Sequence, residues 1–221
     1  MIRPAALAAS LLLAACGDTP PTEAPAGTDD SASVANVAAA PEPLPDVVRV
    51  RLDTEAGPVT LALDARRAPV TTANFVRYVE EGRFDNTSFY RAAPTRGTDG
   101  EPIAGRGFIQ GGIRRNYRRM LAPIAHEPTS ETGLRHEAGT ISMARTEIGA
   151  MGEFFITAKA MPSMDASDGN EGYAAFGKVV EGMDVVRDIL AAPTVRDAGR
   201  GAMRGQMIAE PVRIVSAQRL E

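Results

Sequence analysis

Arginine, glutamine and aromatic residues cluster with short apolar runs at three places in this chain: Phe89-Tyr90-Arg91, Ile109-Gln110-Gly111-Gly112 and Tyr173-Ala174-Ala175-Phe176-Gly177. The side-chain sets that break covalent bonds are not found in a workable spacing. Gly105 and Gly107 begin a Gly-x-Gly, but Gln110 occupies the place of the third glycine, which excludes a dinucleotide loop. No Gly-x-Ser-x-Gly elbow occurs. His126 and His136 are the only histidines, and their spacing builds no zinc site, so each reads as structural or surface histidine. Asp165, Ser167 and Gly169 have the spacing of a calcium loop, yet Asn170 stands at its required glycine and Phe176 at its closing glutamate. A polar turn is the better reading, and neither a metal nor a cofactor is expected.

The residue types that remain suit a reaction that breaks no bond, rotation about an Xaa-Pro peptide bond. Amide resonance sets a barrier of ~18 to 20 kcal/mol to that rotation, and uncatalysed exchange takes tens to hundreds of seconds. A catalyst needs an apolar cup for the proline ring, hydrogen bonds to the neighbouring carbonyl and a donor aimed at the prolyl nitrogen. As the amide twists, its nitrogen regains a lone pair, so a fixed cation bound there stabilises the transition state more than the planar ground state. Arginine, planar and always charged, suits the task.

In order and combination these segments resemble the cyclophilins, a family of peptidyl-prolyl cis/trans isomerases, and the resemblance runs from Val47 nearly to the C-terminus. Phe89-Tyr90-Arg91 is similar to the family's Phe-His-Arg, which makes Arg91 the counterpart of the catalytic arginine. Ile109-Gln110-Gly111-Gly112 resembles its Gln-Gly-Gly strand, which implies that Gln110 acts in catalysis by binding the substrate backbone. Ser142-Met143-Ala144 matches Ser-Met-Ala, and Phe154-Phe155-Ile156 matches a Phe-Phe-Ile strand whose second phenylalanine, here Phe155, floors the proline pocket. Met164 takes the apolar wall within Pro162-Ser163-Met164-Asp165, where the family has Trp-Leu-Asp. Tyr173 takes the place of a histidine, as it often does in bacterial members. The implied substrate-binding set is Phe108, Met143, Ala144, Arg145, Glu153, Phe155, Met164 and Tyr173. Plainer readings stand beside it: Phe108, Phe155 and Met164 as core, Arg91 as a surface ion pair, and Arg114 to Arg119 as a solvated loop rather than a contact for anionic lipid or an acidic partner.

The chain departs from the family in ways that bear on activity. The stretch from Pro94 to Gly107 reads as a loop longer than usual, and it delivers Gly107-Phe108-Ile109 one residue short of the usual apolar run, so Phe108 serves where two apolar residues normally line the pocket. Arg145 replaces an asparagine that grips substrate, and Glu153 replaces a common glutamine, which leaves altered backbone contacts or a mutual ion pair. If these changes abolish turnover, the domain is instead a non-catalytic chaperone or scaffold that binds proline-containing segments. Ser163 replaces the tryptophan associated with cyclosporin binding. Weak inhibition by that drug is therefore expected of the purified domain, and a nanomolar inhibition constant would contradict it.

The elements that must position these residues follow from patterning. Val48, Val50 and Leu52 alternate with Arg49 and Arg51, and Val59, Leu61 and Leu63 resume the period after a turn at Glu55 to Pro58, predicting a hairpin. Pro69 opens a helix in which Phe75, Tyr78 and Val79 share a face, with Gly82 beyond its end. Short strands are predicted at Ser88 to Ala92, Phe108 to Gly112, Thr140 to Met143, Phe154 to Thr157 and Ala175 to Val180. A second helix bears Met183, Val186 and Leu190 and stops before Pro193, and Val212 and Ile214 mark a closing strand. The result is a mostly β fold of about eight strands and two helices. Pattern alone fits a barrel or a sandwich, whereas the resemblance implies a closed eight-stranded antiparallel cyclophilin-like barrel with two capping helices.

With 221 residues, 44% of them hydrophobic, the chain supports one substantial core. Its net charge of -4 disfavours a nucleic-acid partner, and a monomer is expected. The single cysteine closes no intrachain disulfide. Arg3 and the apolar run from Ala5 to Ala15 read as a cleaved signal peptide over 1–15, too short to span a bilayer. Leu13-Ala14-Ala15-Cys16 resembles the lipobox of bacterial lipoproteins, which implies that Cys16 is diacylated and anchors the chain to a membrane; an ordinary free thiol is the alternative. Residues 16–46 are rich in Pro, Ala, Thr and acidic residues and read as a disordered linker, leaving 47–221 as the domain. The expected setting is the periplasmic side of a bacterial membrane, the outer membrane by preference, with proline-containing segments of exported proteins as partners.

Overall fold

The computed structural model describes residues 43–221 with the exception of residue 115. Strand β1 (Val47–Thr54) buries Val48, Val50 and Leu52 and exposes Arg49 and Arg51, as period-two alternation dictates. It turns at Gly57 into β2 (Gly57–Asp64), pairing Val47 with Asp64 and Thr54 with Gly57. Helix α1 (Pro69–Glu80) starts on Pro69, which lacks a donor to lose, and buries Phe75, Tyr78 and Val79. Its unpaired first-turn N–H groups at Val70 and Thr71 donate to the Glu127 carboxylate at 3.1 and 2.7 Å. That distant acid supplies both a cap and a favourable charge at the helix N-terminus.

The chain continues through β3 (Thr87–Arg96), β4 (Pro102–Gly112), α2 (Thr129–Thr132), β5 (Thr140–Thr146), β6 (Gly149–Thr157), β7 (Ala175–Glu181), α3 (Met183–Leu190), β8 (Thr194–Val195) and β9 (Met207–Leu220). Hydrogen bonding runs β1-β2-β7-β5-β6-β4-β3-β9 and returns from β9 to β1, every pair antiparallel. Eight strands thus close a barrel with no open edge, while two-residue β8 pairs only with β9 outside the ring. Phe75, Phe84, Phe89, Phe154 and Phe176 fill the interior without solvent exposure. Phe154 meets three of these rings edge-on, at 5.3, 5.4 and 5.7 Å between centroids.

The closed eight-stranded barrel matches the expectation, but the described residues hold three α-helices rather than two capping ones. The extra helix, α2, is a single turn ended by Gly133 at φ 68°, too short to leave an amphipathic signature. Pro94 to Gly107 is not a long loop: β3 and β4 extend into it, pairing Arg96 with Pro102 and Pro94 with Gly107 around a register shift. Gly107 makes that possible, since at φ 134° a Cβ there would lie 2.2 Å from the Ala93 carbonyl oxygen. In α3 the buried face includes Val185 and Ile189 besides Val186 and Leu190.

Leu44 packs against the core, and the Asp46 carbonyl accepts from the Ala65 N–H at 2.9 Å, so contacts with the barrel extend ahead of β1. The expected signal peptide, Cys16 and most of the expected linker lie outside the described residues. Among the described residues no helix is long and apolar enough to cross a membrane.

Candidate active site

Strand register brings the principal candidates into one row. Arg91 on β3 is opposite Gln110 on β4, Gln110 is opposite Phe155 on β6, and Phe155 is opposite Ser142 on β5. Side chains on a strand alternate faces. Their neighbours Ala92, Ile109, Phe154 and Ile141 are fully buried within the barrel, so Arg91, Gln110, Phe155 and Ser142 point to its outer side.

Phe155 nevertheless has only 3% exposure, because other aromatic rings cover it. Phe108 lies 5.3 Å from it, Tyr173 meets it edge-on at 5.3 Å, and His136 stacks beneath it at 5.7 Å. The structure therefore brings Phe108, Phe155 and Tyr173 together as an apolar cup. Met164 is half-buried in the turn from Pro162, and its carbonyl accepts from the Tyr173 N–H at 3.0 Å, tying that turn to the cup. His136 is structural, as its sequence setting suggests. Its Nδ1 lies 2.7 Å from Asp165 and its Nε2 lies 3.0 Å from the Ser142 hydroxyl, and burial pushes its pKa down despite the carboxylate.

Arg91 is half-buried over the cup, its guanidinium carbon 4.9 Å from the centre of the Phe108 ring. Its Nη1 donates to Gln110 Oε1 and its Nε to Gln206 Oε1, both at 2.8 Å. Among the described residues it makes no ion pair, which sets aside the surface-pair reading, and its Nη2 makes no hydrogen bond. Burial draws its pKa down from the ordinary arginine value, opposed by Tyr90, Tyr173 and Glu153.

Gln110 is buried, and its Nε2 donates to the Tyr90 hydroxyl at 2.8 Å and to Glu153 Oε2 at 3.2 Å. Burial raises the Glu153 pKa, against the lowering effect of hydrogen bonds with Tyr90 and Gln110 and of the charges on Arg114 and Arg91. Tyr90 is pushed up as well, first by burial and then by the Glu153 charge. Arg114 covers the Tyr90 ring from 4.8 Å.

One expectation is corrected and one alternative is set aside. Met143 does not line the cleft: it is opposite Phe154, turns inward as period two requires and joins the barrel core at 1% exposure. Arg145 and Glu153 form no ion pair. The register shift between Met143 and Arg145 sends Arg145 to Glu171, at 2.9 Å, and to the Gly172 carbonyl, at 3.1 Å. Ala144 and Glu153 meet instead in a hollow of about 260 Å³ bounded by Met120, Ile148 and Met151. A larger hollow of about 510 Å³ beside β2 and β7 contains none of these residues. Gln206 and Tyr90 were missed as site residues. Gln206 belongs to no motif, whereas Tyr90 stood in plain view inside one.

A model of the family described as "Cyclophilin type peptidyl-prolyl cis-trans isomerase/CLD" matches residues 48–219. The chain is 39% identical over 147 residues to peptidyl-prolyl cis-trans isomerase A of Dickeya dadantii, covering 66% of this chain and 72% of that protein. It is 33% identical over 172 residues to peptidyl-prolyl cis-trans isomerase B of Escherichia coli, covering 76% and 96%. The crystal structure of a Cryptosporidium parvum cyclophilin type peptidyl-prolyl cis-trans isomerase superposes with a TM-score of 0.60 at 20% identity, covering 79% of this chain and 98% of that one. A matched family model over most of the chain, relatives of this identity along most of their length, and a closed barrel carrying the arginine, glutamine and phenylalanine in one row converge: the chain belongs to the cyclophilin-type peptidyl-prolyl cis-trans isomerases.

Proposed function

We propose that Arg91 is the donor that drives Xaa-Pro isomerisation, acting over a proline pocket floored by Phe155 and walled by Phe108 and Tyr173, on segments of exported proteins. The observation that carries this reading is the clamping of the Arg91 guanidinium. Two amide carbonyls, from Gln110 and Gln206, accept from its Nη1 and Nε in that order, so the group is oriented before substrate arrives and loses little freedom in the reaction. The Phe155 cup takes the proline ring, and Arg91 hydrogen-bonds the prolyl nitrogen as the amide leaves planarity. No covalent intermediate and no proton transfer are needed.

The N-terminal sequence supports an extracytoplasmic setting, with Cys16 diacylated as the first mature residue and the linker holding the domain off the membrane. Two acyl chains give stable anchoring where one is marginal. Cys16→Ser is expected to move the protein from the membrane fraction to the soluble fraction of an expressing bacterium; unchanged retention counts against the anchor. The catalytic reading is tested by proline-limited refolding with the purified protein at substoichiometric amounts. Acceleration supports it, whereas tight binding of proline peptides without acceleration supports the chaperone or scaffold.

A further inference from the structure

An amide side chain has an accepting end and a donating end, and Arg91 requires the accepting one. Which end of Gln110 faces Arg91 is decided on its other side, where Nε2 meets the Tyr90 hydroxyl at 2.8 Å and Glu153 Oε2 at 3.2 Å. An ionised carboxylate only accepts. Turning the amide over would set its carbonyl against Glu153 and its NH₂ against the guanidinium, two repulsive contacts in a poorly solvated place. A neutral glutamine at position 153 has both ends too and exerts no such preference. Tyr90 completes the set, its hydroxyl accepting from Gln110 Nε2 beside Glu153.

We propose that Glu153 and Tyr90 are positioning residues that lock the Gln110 amide in the one orientation that aims Arg91. The inference rests on the reading of Arg91 as the donor. It has a consequence for pH. The groups facing Glu153 are Tyr90 and Arg91 from β3, Gln110 from β4 and Arg114 just beyond β4, while Arg145 of β5 is turned to Glu171. Burial raises the Glu153 pKa, so its carboxyl takes up a proton earlier than an exposed one as pH falls. Once protonated it donates as well as accepts, and the selection of the amide orientation weakens. Tyr90, with its pKa pushed up, keeps its proton throughout.

The test is kcat/KM and KM for an uncharged Xaa-Pro peptide between roughly pH 5 and pH 8, measured on the full protein, Glu153→Gln, Glu153→Leu and Arg91→Ala. The native protein is expected to lose kcat/KM towards the acid end, by no more than the roughly fivefold deficit of Glu153→Gln. Glu153→Gln is expected to run about fivefold below it at the alkaline end, with KM little changed and no acid limb. Glu153→Leu, which offers no acceptor, falls below Glu153→Gln. An acid limb that persists in Glu153→Gln overturns the proposal, as does native kcat/KM at the alkaline end in both Glu153 variants. If Arg91→Ala is slow while Glu153→Gln titrates like the native protein, the positioning role fails and the Arg91 reading stands. If Arg91→Ala is as fast as the native protein, the Arg91 reading itself falls.

Discussion

Arg91→Ala is expected to lower kcat/KM in proline-limited refolding by ~10²- to 10³-fold, the loss usual for one transition-state donor in a preorganised site. Stability should change little. Arg91 is half-exposed at the cleft, and water can replace its donors at Gln110 and Gln206 once the side chain is gone. A fall in rate with an unchanged melting temperature therefore separates chemistry from folding. Arg91→Lys is expected to recover little of the loss. The two carbonyls grip separate nitrogens of a planar fork, and a lysine offers one rotating ammonium to the same two acceptors.

The second large effect is on stability, and it divides neighbours on one strand. Phe154→Ala should cost about 3 to 5 kcal/mol, because the ring is fully buried and its loss opens a cavity among Phe75, Phe84 and Phe89. For a domain of this size that corresponds to a melting temperature lower by roughly 10 °C or more. Phe155→Ala should cost less, since its ring covers the outside of the barrel wall rather than filling the interior, yet it should lose most of its isomerase activity with the pocket floor. Thermal unfolding and refolding assays on both variants check the contrast. Equal destabilisation with equal activity would contradict the assignment of the two faces of β6.

What could be read from the sequence follows how local the determining physics is. β1, β2 and α1 were legible because burial imposes period two on Val48, Val50 and Leu52 and a helical period on Phe75, Tyr78 and Val79. Arg91, Gln110 and Phe155 were legible as segments of a family pattern, although their common row exists only through the pairing of β3, β4 and β6. Met143 was misplaced when its motif was taken whole, since Ser142 and Ala144 face outward while Met143 between them faces the core. The Arg145 partner depended on a bulge that single-strand alternation does not announce. Gln206 reaches Arg91 across more than a hundred residues of chain, and a lone polar residue before a strand carries no local signal.

The same logic explains the hairpin from Pro94 to Gly107. Glycines, two prolines and charged residues give it the composition of a loop, yet Gly105 and Gly107 adopt positive φ values and let β3 and β4 pair beyond the barrel rim. Its base delivers Phe108 to a position between Arg91 and Phe155. One aromatic ring thus serves as both wall of the cup and platform for the cation, so the shortened apolar run before Gln110 still brings a ring to the pocket.

On the proposed mechanism a guanidinium held in place stabilises the twisted amide rather than the bound peptide. Exchange spectroscopy of an Xaa-Pro peptide saturating the protein reads this directly, as the rate of cis/trans interconversion on the enzyme alongside the peptide's affinity. Arg91→Ala is expected to slow interconversion on the enzyme by ~10²-fold or more while the dissociation constant changes by no more than several-fold. An unchanged interconversion rate, with the loss appearing only as weaker binding, would contradict it.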